Sequence, residues 1–263
     1  TRSFLKIQDG CNYNCSFCTI PLARGHSRSD NILNTLKEAE KIASTETREI
    51  VLTGVNIGDF GLEHGESFLE LIQALDEIQN IDRYRISSIE PNLLSDDIIN
   101  FTLRSNKFLP HFHIPLQSGS NKILKSMRRR YRIELYAKRI SKIKMLYPNA
   151  CIGVDVIVGF PGETEVEFNK TVDFLQKLDI SYLHVFSYSK RSNTHSSSMS
   201  NIVSKFEISK RSKILHQLSL DKSKLFYENN LGSIKKVLIE SCDGNLISGY
   251  SENYIPIKIE GSE

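Results

Sequence analysis

Short apolar runs alternate along this chain with stretches whose apolar residues recur at helical spacing. The runs at 1–8 (Phe4, Leu5, Ile7), 49–52, 83–88, 111–116, 151–158 and 182–186 predict six strands. Amphipathic helices lie between them. Ile32, Leu36, Ala39 and Ala43 follow a cap at Asp30, and Phe68, Leu71, Ile72, Leu75 and Ile78 follow Ser67 and Glu70. Ser95 caps a third helix, with Asp96 and Asp97 in its first turn. Tyr136, Ile140, Ile143 and Tyr147 form a fourth stripe, and Phe168, Val172, Leu175 and Leu178 follow Thr164 and Glu167. Both Ser67/Glu70 and Thr164/Glu167 have capping-box spacing. Such alternation argues for an α/β protein with a parallel sheet and helical crossovers. Six units rather than eight predict a partial (β/α)6 barrel, TIM-like but open at one side.

A long helix at 206–230 follows, with Ile208, Leu215, Leu218 and Leu225 as its stripe. After Gly232 the period falls to two: Val237 and Ile239, then Ile247 and Tyr250, then Ile255, Ile257 and Ile259, with Gly244-Asn245 as a hairpin turn. The expected division is a core of 1–230 and a small β domain of 231–263. The chain opens almost on a core strand and ends inside the β pattern, so it reads as lacking upstream sequence and as truncated in its β domain.

Composition narrows the class without naming it. With 40% hydrophobic and 25% charged residues the chain is ordinary for a globular protein, and a net charge of +3 permits an RNA partner without arguing for one. No apolar run approaches membrane-spanning length and no signal peptide opens the sequence, so the expected location is the cytoplasm and no membrane partner is expected. In that compartment thiols stay reduced and clustered cysteines imply a metal.

Cys11, Cys15 and Cys18 are so clustered, in the order Cys-x3-Cys-x2-Cys. Three thiolates suit three corners of a 4Fe–4S cluster and leave one iron open to a small molecule. A zinc site with His26 as fourth ligand competes, although zinc usually takes two separated pairs. A disulfide fits poorly with five cysteines, of which Cys151 and Cys242 lie far off. Phe17, between two ligands, can shield a cluster or stack on a base. Further chemistry sits where the predicted strands end. Gly54-Val55-Asn56 follows one strand and allows close approach to a ligand; Ser88 ends the next; Gln117 follows another and suits a ribose or carboxylate. Asp155 interrupts a buried strand and needs a cofactor hydroxyl or an arginine. His111 and His113 share a strand face, where core hydrogen bonding outranks ligation. Arg24 and Arg28 suit a carboxylate or phosphate, or simply solvent. Arg128, Arg129 and Arg130, with Lys138 and Lys142 on the following helix, are the best footprint for a phosphate backbone.

The triad with Phe17 before its last cysteine resembles the radical SAM superfamily signature. The segments Lys6-Ile-Gln-Asp-Gly-Cys-Asn, His113-Ile-Pro-Leu-Gln-Ser-Gly-Ser, Asp155-Val-Ile-Val-Gly-Phe-Pro-Gly-Glu-Thr and His184-Val-Phe-Ser-Tyr-Ser resemble the methylthiotransferases within it. The resemblance implies a barrel with the cluster at its C-terminal mouth and a TRAM-like RNA-binding β domain. It implies S-adenosylmethionine as second cofactor, with Cys11, Cys15 and Cys18 as cluster ligands and catalytic centre. Phe17, Gly54, Val55, Asn56, Ser88, Gln117 and Asp155 would be the cofactor-binding residues, the Gly54 loop receiving the methionine end. The reaction implied is methylation of a sulfur, then radical insertion of the methylthio group at a C–H carbon. Partners would be a tRNA anticodon stem-loop and an electron donor such as flavodoxin or ferredoxin, acting on a monomer. Ser87-Ser-Ile-Glu-Pro and Gly249-Tyr-Ser-Glu-Asn-Tyr resemble the branch that modifies threonylcarbamoyladenosine beside the anticodon. The alternatives are the branches for isopentenyladenosine in tRNA and for a ribosomal-protein aspartate, or, from another class, a zinc-containing RNA-binding module. The family's N-terminal domain, with three cysteines for a second cluster, has no counterpart in this sequence. The loop from Tyr188 to Thr194 lacks the family's usual prolines and glycine.

Overall fold

The computed structural model describes residues 1–261. In chain order it contains β1 (Arg2–Lys6), β2 (Gln8–Asp9), α1 (Ile20–Arg24), β3 (Arg28–Ser29), α2 (Ile32–Ala43), β4 (Glu49–Thr53), α3 (Phe68–Asp76), β5 (Arg83–Ile86), α4 (Asp96–Arg104), β6 (His111–His113), α5 (Asn121–Ser126), α6 (Ile133–Leu146), β7 (Cys151–Val158), α7 (Glu165–Lys177), β8 (Tyr182–Ser187), α8 (Lys205–Glu228), β9 (Val237–Asp243), β10 (Leu246–Ser251) and β11 (Pro256–Glu260). The six expected strands are β1, β4, β5, β6, β7 and β8, paired in parallel as β1-β4-β5 and β6-β7-β8. A bridge from Tyr84 to Phe108 joins the two halves. The order ends at β1 on one side and β8 on the other, as an open barrel requires.

Side chains alternate between the two faces of each strand. Ile50 and Leu52, Tyr84 and Ile86, and Ile152, Val154, Val156 and Val158 turn outward under the helices and form the main core. Each such aliphatic side chain contributes roughly 1.5–3 kcal/mol by leaving water. The opposite face is the lumen, and it is polar. Glu49, Arg83, Arg85, His111, His113, Asp155 and His184 stand there in place of the usual branched aliphatics.

The predicted caps largely hold. Ser67, Ser95 and Thr164 accept hydrogen bonds from the amides of Glu70, Ile98 and Glu167, starting α3, α4 and α7. The cap of α2 is Asn31, not Asp30. Asp30 stands one residue earlier and accepts from the Asn31 amide and the Asn34 side chain. The strand expected through Leu116 is regular only to His113, although Ile114 and Leu116 still donate to Gly153 O (2.9 Å) and Asp155 O (3.1 Å) on β7. On α8, Leu225 is exposed and Phe226 is buried instead. Beyond α8, β9, β10 and β11 form the expected antiparallel sheet, β9 and β10 joined at Gly244-Asn245.

Candidate functional site

The loop 10–19 leaves β2 at the C-terminal end of β1, the end at which barrels carry their chemistry. Gly10 adopts φ 68°, and a Cβ there would lie 1.9 Å from the His26 carbonyl oxygen, so glycine is obligatory at the entry. The loop is held from three sides. Cys11 donates its amide to Gly25 O (3.1 Å), Ser16 donates to Met127 O (3.1 Å), and Ser16 O accepts from the Ser196 amide (2.7 Å).

All three cysteines are free and half-buried, and each sulfur accepts an N–H hydrogen bond. The donors are the Tyr13 amide to Cys11 (3.3 Å), the Arg129 guanidinium to Cys15 (3.3 Å) and the Ile20 amide to Cys18 (3.4 Å). Burial pushes the Cys11 and Cys15 thiols up, with Arg129 pulling against it at Cys15. Acceptor geometry of this kind suits thiolates bound to iron. Three thiolates around one tetrahedral zinc stand about 3.8 Å apart, from Zn–S bonds of about 2.3 Å. Among the described residues the one trio of ligand atoms all within 4.8 Å is His113, Asp155 and His184, so the cysteine sulfurs are spread wider than a single zinc would hold them. His26 does not approach as a fourth ligand; its Nδ1 lies 3.3 Å from Asn12 Oδ1.

Beside the cysteine loop, Gln8 ties two predicted features together. Its Nε2 donates to the carbonyls of Asp9 and Gly10 (2.8 Å each) and to Ser27 Oγ (2.9 Å), while its Oε1 accepts from the amides of Val55 (3.0 Å) and Asn56 (2.7 Å). Nothing in the sequence singled out this residue. Gly54 must be small because a Cβ would press on Gln8 O at 2.9 Å. Asn56 is buried, donates Nδ2 to Asp59 (2.6 Å), and keeps its Oδ1 buried with no hydrogen-bond partner. That orphaned acceptor fits the ammonium of an amino acid. Gln117 has φ 69° and is locked by backbone bonds to Asp155 O and from the Ile157 amide, which holds its side chain at the strand ends. Ser88 follows β5 half-buried at the same end. Phe17 packs edge-on against Phe160, which packs in turn on Tyr188, giving an aromatic wall beside the cysteines. Glu163 and Arg211 brace the loop behind that wall: Glu163 accepts from the Gly159 amide (2.7 Å) and from Arg211 (2.8 Å).

Other predicted residues have partners of their own. Asp155 is bonded through its carbonyl to the Gln117 amide, and its Oδ1 lies 2.8 Å from His113 Nε2 and 3.3 Å from His184 Nδ1. The five basic residues do not make one patch. The Arg129 side chain is 5% exposed and pairs with Glu90 and Cys15, so it cannot reach a phosphate. Arg130 is exposed but lies on the Tyr13 ring at 3.9 Å. Arg128 is exposed near the cysteine loop, whereas Lys138 and Lys142 lie along α6, which runs back down the outside. Arg24 and Arg28 surround Asp9, at 3.8 and 2.7 Å.

The model of the radical SAM superfamily matches residues 5–175, from β1 into α7. The chain belongs to the radical SAM superfamily. Similarity continues past the matched segment. Threonylcarbamoyladenosine tRNA methylthiotransferase MtaB of Bacillus subtilis (strain 168) is 41% identical over 270 residues, covering 100% of this chain and 60% of that protein. tRNA-2-methylthio-N(6)-dimethylallyladenosine synthase of Alkaliphilus oremlandii is 35% identical over 268 residues, covering 100% of this chain and 57% of that protein. This radical SAM chain thus spans about three-fifths of the length of the curated relatives it matches. Among solved structures, the radical S-adenosylmethionine methyltransferase TsrM of Kitasatospora setae, with cobalamin and a [4Fe-4S] cluster bound, shares the fold at a TM-score of 0.61 and 15% identity, over 74% of this chain and 38% of that one. No helix among the described residues is long and apolar enough to cross a membrane.

Proposed function

We propose that this chain is the catalytic core of a cytoplasmic tRNA methylthiotransferase acting on threonylcarbamoyladenosine. One observation carries the reading: the 41% identity to an enzyme of that name is counted over the whole chain and not over the cysteine loop alone. Cys11, Cys15 and Cys18 would hold a 4Fe–4S cluster, with S-adenosylmethionine beside it in the mouth. When bound, these groups supply one-electron cleavage of the sulfonium and a carbon radical strong enough to attack an unactivated C–H bond.

The chain's own residues bind and orient. Asn56 Oδ1, made an acceptor without a partner by the fold, takes the methionine ammonium. Gln117 and Ser88 take the ribose and carboxylate, and Phe17 and Phe160 exclude water from the adenine side. Arg129 donates to Cys15 and holds that ligand's charge in place. Asp155, which pairs with His113 and His184, would take a cofactor hydroxyl from the lumen side. Residues 237–260 would be the first strands of a TRAM-like RNA-binding domain, and Arg128 and Arg130 the phosphate contacts nearest the mouth. An electron donor of the flavodoxin or ferredoxin type completes the system. The dimethylallyladenosine branch is the second reading, supported by 35% identity over the same span.

Nucleoside digests of tRNA from cells with and without this protein test the assignment. The methylthio form of threonylcarbamoyladenosine should vanish without the protein and its unmodified precursor accumulate. Loss of methylthio-isopentenyladenosine instead would give the function to the second reading.

A further inference from the structure

Below the mouth, the lumen, α8 and the terminal sheet line an open cavity of about 440 Å³. Arg85, His111, His113, Tyr182, His184 and Tyr254 are among its polar lining residues, and no carboxylate is. Arg85 is 4% exposed. Its Nε lies 3.2 Å from Glu49, and its guanidinium rests 4.6 Å from the centre of the Tyr254 ring. Tyr254 is itself fixed, at φ 65° and stacked on Tyr250 at 4.8 Å. Arg85 lines the cavity, and its Nη1 is buried with no hydrogen-bond partner among the described residues, so a small shift of the guanidinium would bring that donor to a ligand. His111 lines the same cavity, its Nδ1 likewise buried and unpartnered.

Glu49 meets Arg2 at 2.8 Å, Arg83 at 2.6 Å and Arg85 at 3.2 Å, and Arg2 also reaches Glu240. With Asp155 beside His113 and His184 in the same lumen, three guanidiniums face three carboxylates, yet none of the three bonds Arg85 Nη1. A buried donor without a partner is costly, and a ligand carboxylate would supply one.

We infer that this cavity receives the acidic N6 substituent of the target nucleoside, with Arg85 Nη1 as the partner of its carboxylate and His113 and His184 beside the carbamoyl arm. The inference rests on the methylthiotransferase reading and specifies how the substrate is told apart. Strands rise about 3.3 Å per residue, so Arg85 sits about 10 Å below Ser88 at the mouth. An adenine held at the mouth would send a threonylcarbamoyl arm down the lumen toward Arg85. An isopentenyl arm would leave Nη1 buried and unsatisfied, and a site built to hydrogen-bond a polar group rejects an analogue that lacks it.

The test varies the ligand. Calorimetry on the iron-loaded protein would compare N6-threonylcarbamoyladenosine with its carboxamide, which keeps the shape and loses the charge. The acid should bind about tenfold tighter or better, the range of one charge-assisted hydrogen bond. Arg85→Gln should level the two. Because Arg85 is buried and its loss leaves Glu49 short of a partner, the ligand pair on the unaltered protein decides. Equal affinity for acid and amide, or no binding of either, overturns the inference. The digest experiment above fails or succeeds separately: a methylthio product on threonylcarbamoyladenosine with equal affinities would sink the cavity and keep the function.

Discussion

Arg129 sits at the join of two networks, and its chemistry follows from burial. Its guanidinium pairs with Glu90, donates to the Cys15 sulfur and stacks on the Tyr131 ring at 5.1 Å. Removing one partner of a buried pair leaves the other charge uncompensated. Arg129→Met should therefore destabilise the protein by roughly 3 kcal/mol, read as a lower urea midpoint with an unchanged slope. A midpoint within error of the parent would mean that Glu90 finds water or another donor. Charge reversal here tests the core and not the RNA surface; for RNA, Arg128 is the exposed neighbour. The cysteine triad was legible because its spacing alone carries the chemistry. Arg129 was not, since three consecutive arginines look alike in a sequence. The fold separates them because Arg128 takes φ 59°, reversing the chain after α5 and turning the next side chain inward. Gln8 and Arg211 were missed for a related reason: each joins segments far apart in sequence, and no local pattern announces it.

Strand and helix positions were easier to read, because period and capping are local properties. Each barrel strand lies within its predicted apolar run or one residue of it, β6 being the shortened one, since the outward face of each must meet a helix. The inward face follows another rule, and there the polar residues make the interaction between elements. Glu49 on β4 meets Arg2 on β1 and both Arg83 and Arg85 on β5, so one carboxylate ties three adjacent strands. Burial alone would push the Glu49 carboxyl up; Arg85, Arg83 and Arg2 together outweigh it and hold it below its ordinary value of 4.5. A carboxyl whose pKa is lower in the folded state stabilises the fold above the unfolded pKa. That stabilisation is lost as the pH falls through the folded value. Thermal melts should therefore fall off with acid below about pH 4.5, and Glu49→Gln should flatten that limb while lowering the melting temperature at neutral pH. An acid limb equally steep in the variant would assign the pH dependence to other carboxylates.

Across the whole molecule the cysteines divide sharply by place. Cys11, Cys15 and Cys18 share one loop at the mouth, where three N–H donors await thiolates. Cys151 is buried on β7 at the lumen floor, its thiol pushed up to about 12 by burial, and Cys242 is exposed on β9 in the terminal sheet. Neither can join a second cluster, because neither has another thiol for company among the described residues. Methylthio insertion asks for two things that must coincide: a radical at the substrate carbon, and a sulfur waiting within reach of it. On the proposed reading the described residues would provide for the first, with Asn56 and Gln117 as cofactor acceptors at the mouth and the inferred site for the nucleoside arm in the lumen beneath. For the second they offer no thiol cluster besides the triad, which the cluster would occupy. Residues 1–263 produced alone, reconstituted with iron and reduced without oxygen, should therefore form 5′-deoxyadenosine from S-adenosylmethionine. They should leave threonylcarbamoyladenosine in tRNA unaltered when nucleoside digests are weighed by mass spectrometry. Cys11→Ala, Cys15→Ala and Cys18→Ala should each abolish the cleavage together with the iron absorbance, and Cys151→Ala and Cys242→Ala should preserve both. A methylthio product from these residues alone would show that the triad's own cluster, or sulfide supplied from solution, delivers the sulfur. Cleavage that survives loss of any triad cysteine would remove the cluster from the mouth altogether.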